Sequence, residues 1–253
     1  MKSDFYPNVR KGDVFVNTFG TRAIVIAYIN SKNVLVEFQD DYKYQRKFYL
    51  KDLREGQFTN PYDKTMEGRG FVGVGKYSAS KNSKKTLAYI RWSGMMHRCY
   101  SGHNEAYSDV EVSEEWHNFQ NFAEWFYNQD NHGEVDWELD KDLLSGDFKL
   151  YSTKTCCILP AKINTFISTR KIKNNLPTGV REVICNNGVI KYIAKYKDLN
   201  GKYKKSEKYE TMEEAFDFYA LNKKVILIQL AEIYKEDLSK NIYLSILKYK
   251  IKA

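Results

Sequence analysis

Residues 136–164 read DWELDKDLLSGDFKLYSTKTCCILPAKIN. An apolar run ends at Leu139-Asp140, which places a carboxylate at the tip of a strand. A polar connection follows, then a second apolar run introduced by Tyr151-Ser152-Thr153-Lys154-Thr155, then a helical pattern over Ala161–Phe166. This order predicts a small ββα unit. One strand-tip carboxylate can hold one divalent cation together with waters and substrate oxygens. The next residue is Lys141, which is charged at neutral pH and cannot take a proton from water.

Charge places this unit between two basic flanks. The 253-residue chain carries 40 Lys and Arg against 32 Asp and Glu, a formal net charge of +8. Residues 1–100 have 18 basic and 9 acidic side chains, residues 101–150 have 2 and 13, and residues 151–253 have 20 and 10. Basic flanks suit phosphate neutralisation, and twenty Tyr and fourteen Phe suit contacts to bases and sugars. A Lys-rich surface with no nucleic-acid role is the alternative. The acidic centre would repel DNA unless metal ions or buried partners neutralise it; a solvated acidic face is the plainer account of most of these residues.

Four cysteines, Cys99, Cys156, Cys157 and Cys185, make no disulfide framework. Cys156 and Cys157 are adjacent in an apolar run and point to opposite faces, which disfavours a zinc knuckle. No signal peptide and no run of membrane-spanning length is present, so the expectation is a cytoplasmic protein with reduced thiols and no membrane partner.

The expected fold class is α+β in three pieces. Residues 1–60 hold short β-branched and aromatic runs (Gly12–Thr18, Arg22–Ile29, Asn33–Phe38, Tyr42–Leu50) separated by turn-formers, which predicts a small β-barrel of SH3-like shape. Residues 61–86 are a Gly/Ser/Lys-rich linker. Its Gly68, Gly70 and Gly73 have a GxGxxG-like spacing, but no helix pattern follows, so a loop along a phosphate backbone is preferred to a dinucleotide site. Residues 87–172 hold a helix over Leu87–Tyr100 with Leu87, Ile90, Trp92 and Met95/Met96 at helical spacing, a short strand at Glu111–Val112, a helix capped by Ser113 with Trp116, Phe119, Phe122, Ala123 and Phe126 on one face, and the ββα unit.

Residues 173–253 hold three strands, Gly179–Cys185, Ile190–Tyr196 and Lys204–Tyr209, joined by Asn187-Gly188 and Asn200-Gly201. A helix capped at Thr211 runs through Tyr219, and a second helical stretch covers Val225–Lys250. Residues 161–208 contain 12 basic and 3 acidic side chains. Arg181, Lys191, Lys195, Lys197, Lys202 and Lys204 are the DNA-binding candidates. Alternation puts Lys191, Ile193, Lys195 and Lys197 on one face of the middle strand and Tyr192, Ala194 and Tyr196 on the other.

An ordered series of motifs resembles the HNH endonucleases encoded by phages: Trp92-x2-Met95-Met96-x-Arg98-Cys99-Tyr100, then Glu114-Glu115-Trp116-x-Asn118-Phe119, then Leu139-Asp140-Lys141-Asp142, then Tyr151-Ser152 through Pro160 and Ile163-Asn164. Residues 176–222 resemble the Apetala-two type DNA-binding domain often appended to such nucleases, through Thr178-Gly179-Val180, Tyr192, Ala194, Asn200-Gly201-Lys202, Thr211, Glu213-Glu214-Ala215 and Tyr219. The resemblance implies a ββα-metal domain that nicks or cuts double-stranded DNA with Mg²⁺ or another divalent ion, and a three-stranded sheet set in the major groove. It implies Asp140 as metal ligand; the alternative is a carboxylate paired with Arg98 or Lys141, and Asp142 reads as a second ligand or a helix cap.

The family's histidine position is Lys141 and its later Asn is Thr155; other members also carry a basic residue after the Asp. His97, on the Met95–Tyr100 motif, is the catalytic candidate among four histidines, with His132 behind it, and Lys141 is placed to hold phosphate. A second class of function stays open: a nuclease-derived DNA binder without catalysis, acting as a regulator or as an inhibitor of a host protein.

Overall fold

A computed structural model describes residues 9–146, 148–167 and 176–252. The chain divides into two compact units: residues up to Lys76 with Asn118–Gln120, and Tyr77–His117 with the residues from Asn121 on.

In the first unit, β1 (Val14–Val16), β2 (Arg22–Asn30), β3 (Asn33–Phe38) and β4 (Gln45–Phe48) form an antiparallel meander in that order, followed by α1 (Leu50–Arg54). Strict alternation on β3 buries Val34, Val36 and Phe38, which pack with Ala23, Val25, Leu50, Leu53 and Phe58. Each such side chain contributes about 1.5–3 kcal/mol on burial. The expected barrel is not closed among the described residues: β1 and β4 are the sheet's edges. They are three and four residues long, too short to wrap round to each other, and α1 supplies Leu50 and Leu53 to the core. Buried Asp63 accepts hydrogen bonds from Asn17 Nδ2 (2.7 Å) and Thr21 Oγ1 (2.5 Å), which ties the Gly-rich stretch to the β1–β2 turn.

In the second unit, a hairpin of β5 (Ser80–Lys81) and β6 (Lys84–Lys85) leads into α2 (Leu87–Tyr100), capped by the Thr86 hydroxyl. Next come β7 (Glu111–Val112), α3 (Glu114–His117) and α4 (Phe119–Tyr127), which belongs to this unit from Asn121 on. The single helix expected after Ser113 is therefore broken at Asn118, and the Ser113 hydroxyl is buried without a hydrogen-bond partner instead of capping. Trp92, Trp116, Phe122 and Phe126 are buried as expected, and Trp92 Nε1 donates to the Trp116 carbonyl at 2.7 Å. Ile90, expected on the same apolar face, is exposed.

The ββα order follows: β8 (Trp137–Asp140), α5 (Asp142–Ser145), β9 (Leu150–Tyr151), β10 (Cys157–Pro160) and α6 (Ala161–Ile167). β8 and β10 are antiparallel with Asp140 opposite Cys157, and β9 pairs in parallel with β7.

The last sheet is β11 (Val180–Ile184), β12 (Ile190–Lys197) and β13 (Tyr203–Lys205), antiparallel in chain order. Behind it lies α7 (Met212–Ile233), with the predicted capping box between Thr211 and Glu214. α7 is 22 residues long and runs unbroken past Tyr219 to Ile233, and α8 (Lys240–Lys248) is the last helix, so the helical boundaries differ from the expected ones. Leu227, Leu230 and Ala231 of α7 pack with Leu159, Ile163 and Ile167, which fastens α7 to the ββα unit. Among the described residues no helix is long and apolar enough to cross a membrane.

Candidate active site and nucleic-acid interface

A cleft of about 390 Å³ opens at the tip of β8, lined by Ile90, Arg91, Gly94 and Arg98 of α2, Tyr107, Glu138–Asp142, Tyr151 and Asn164. Each wall follows from local sequence. Residues 91, 94 and 98 fall on one stripe of α2 by helical spacing. Glu138 and Asp140 share one face of β8. Asn164 stands in the first turn of α6, and its Nδ2 donates to Glu138 Oε2 at 2.7 Å.

Asp140 is 3% exposed. Its Oδ2 accepts the Leu143 amide at 2.8 Å, so the carboxylate starts the short α5 as well as facing the cleft. Burial pushes its pKa up to about 6; the Leu143 amide pulls it back and the Asp142 carboxylate pushes it further up. Neither Arg98 nor Lys141 makes an ion pair with it among the described residues. Lys141, with a side chain 12% exposed, pairs with Asp142 Oδ1 and lies 6.0 Å from the centre of the Tyr151 ring. Asp142 occupies the first turn of α5, while the capping of that turn falls to Asp140.

Lys141, Asp140 and Asp142 are thus brought together, and His97 is not among them. His97 is exposed on α2 beside His103, with ring centres 6.0 Å apart. His132 contacts the Gln129 carbonyl through Nδ1 at 2.9 Å and packs against Phe126 and Tyr127. His117 meets the Tyr100 hydroxyl at 3.2 Å. No histidine lines the cleft among the described residues. Thr155 is spent inside its own turn: its Oγ1 donates to the Leu150 carbonyl at 2.6 Å and accepts the Ser152 amide at 3.0 Å.

Among the described residues no group of three or more His, Cys, Asp or Glu is placed to hold a metal. A closed zinc-type site is therefore not what these residues make. Asp140, Glu138 and Asn164 line the same cleft with oxygen-bearing side chains, and Mg²⁺ binds through one or two carboxylates when substrate phosphate and water complete its shell. The chemistry of these oxygens suits such an ion.

The second basic surface is the open face of the β11–β13 sheet. Val180 pairs with Ala194 and both are buried toward α7, and Tyr196 donates to Asn222 of α7. Arg181, Ile193, Lys195, Lys197, Tyr203 and Lys205 therefore share the opposite face. Lys195 and Lys197 flank the exposed Tyr203 ring at 4.5 and 5.1 Å. The other candidates differ. Lys191 is paired with Glu210, Lys204 is on the α7 side and lies 3.7 Å from Asp198, and Lys202 sits in the turn before β13.

Sequence reasoning missed Glu138, Asn164, Arg91 and Tyr107 as cleft residues and treated Arg98 only as a partner for Asp140. The available signals were the 91/94/98 stripe and the amide three residues into α6. No family model, curated protein or solved structure matches this chain.

Proposed function

We propose that this chain is an HNH-type, metal-dependent endonuclease that nicks or cuts double-stranded DNA in the cleft at the tip of β8 and grips the duplex with the open face of β11–β13. The observation that carries this reading is the convergence of Asp140, Glu138 and Asn164 on the same cleft as Arg98 and Lys141. A divalent ion held by Asp140 with Glu138 and Asn164 would supply Lewis-acid stabilisation of the departing oxygen. Asn164 fixes the Glu138 carboxylate, Leu143 fixes that of Asp140, and Lys141 offers a cation to phosphate. A phage-encoded protein acting in the host cytoplasm accords with the motif series.

The test is nicking of supercoiled plasmid with Mg²⁺ or Mn²⁺. The wild type should nick, and Asp140→Ala and Asn164→Ala should lose nicking while keeping duplex affinity. A second reading is favoured by one observation, the ammonium of Lys141 where the family's activating histidine stands. On that reading the protein binds duplex DNA without cutting it, as a regulator or as an inhibitor of a host protein. Salt-sensitive duplex binding with no cleavage on any substrate or metal would select it.

A further inference from the structure

We infer that Arg98 is the anion-binding residue of the cleft, seating a non-bridging oxygen of a phosphodiester, with Tyr107 and Tyr151 as its positioning residues. The inference rests on the nucleic-acid reading of the cleft and supplies the group that reads the substrate's phosphate.

All three cleft carboxylates have other partners. Asp140 takes the Leu143 amide, Asp142 takes Lys141 and Glu138 takes Asn164. Arg98 has no carboxylate among the described residues. Its guanidinium carbon lies 5.8 Å from the centres of both the Tyr107 and Tyr151 rings, and Nη2 donates to the Tyr151 hydroxyl over a long 3.4 Å. Its Nε is buried with no hydrogen-bond partner. A guanidinium is the side chain best shaped to meet two oxygens of one phosphate at once. Held beside two rings, it is ordered before any ligand arrives.

Gly94, one turn earlier, supports the same assignment. A Cβ there would stand 3.6 Å from Arg98 Nη1, an ordinary contact, so the glycine is not forced by crowding. Its missing side chain leaves the cleft side of Nη1 open, at the usual helix-interior disadvantage of glycine. Lys141, near the same Tyr151 ring, supplies a second cation. A singly charged diester oxygen between these two groups suits the cleft.

The test uses the full chain and dimethyl phosphate, with acetate at equal ionic strength as control. The Arg98 Nε–Hε resonance is assigned by its loss in Arg98→Lys. It should shift and saturate with dimethyl phosphate and not with acetate, and Tyr151→Phe should weaken that affinity severalfold. An unmoved resonance, or equal shifts with both anions, overturns the assignment; wild-type diester affinity in Tyr151→Phe removes the positioning role of Tyr151. In the plasmid assay Arg98→Lys should lower the nicking rate on the order of 10²-fold. Nicking at the wild-type rate in Arg98→Lys overturns the inference and leaves the nuclease reading intact. A resonance that responds to the diester in a protein that never nicks does the reverse.

Discussion

The Asp140 carboxylate and the Leu143 amide are joined at 2.8 Å, so the residue that faces the cleft is also the one that begins the next helix. Its ionisation is therefore coupled to folding.

The sign of that coupling is fixed by the direction of the shift. Folding raises Asp140 from 3.8 to about 6, so the fold favours the protonated form. The stability this group contributes is whole below pH 4 and is lost as pH rises through 6, amounting to about 3 kcal/mol. Asp140→Asn, which can still accept the Leu143 amide, should be as stable as wild type at pH 4 and more stable at pH 7. Melting curves of the two proteins that stay parallel across this range would contradict the coupling.

Gly179 has φ +80°, and a Cβ there would fall 2.2 Å from ring carbons of the buried Tyr219. Both the backbone and the ring resist. Gly179→Ala should cost roughly 3 kcal/mol in chemical denaturation. A change below 1 kcal/mol would mean that the sheet and α7 can part without loss.

The Lys224 ammonium donates to the carbonyls of Ile246, Leu247 and Tyr249 at 3.1, 2.8 and 2.6 Å, closing the end of α8. Lys224→Met leaves those carbonyls without their donor and should cost about 1–3 kcal/mol. Hydrogen exchange should quicken in α8 first, while exchange in β8 and β10 stays slow.

On the sheet face, Lys195 and Lys197 lie against the Tyr203 ring and make no ion pair among the described residues, whereas Lys191 is paired with Glu210. Replacing both Lys195 and Lys197 by Glu should weaken duplex binding and flatten the slope of log affinity against log salt by about 2. Lys191→Glu should change the slope less. Equal effects from all three would show that the pairing with Glu210 does not outlast DNA binding.

What the sequence reveals here is local order. The bounds of α2, the Thr211 capping box, the strand ending at Asp140 and the alternation along β12 all follow from periodicity and turn residues that act over a few positions. What it conceals is convergence. Arg98, Glu138 and Asn164 line one cleft because α2, β8 and α6 each contribute a side of it, and no local pattern records that neighbourhood. The length of α7 was hidden for a related reason. Lys223-Lys224 looks like a polar break, yet Lys223 lies over the Phe166 ring at 4.8 Å and Lys224 closes α8, so both cations have partners that only the fold provides. The open meander of the first unit was concealed because strand runs reveal existence, not closure.

Cys157 carries one more consequence. Its thiol sits 3.9 Å from Asp140 Oδ2 and is buried at 3% exposure, with burial holding it firmly in the unreactive protonated form. It packs with Leu227, Leu230 and Ile246, so an alkylating reagent reaches it when that core opens, and the rate of its labelling is a built-in clock for the breathing of the layer behind Asp140, readable without any substrate.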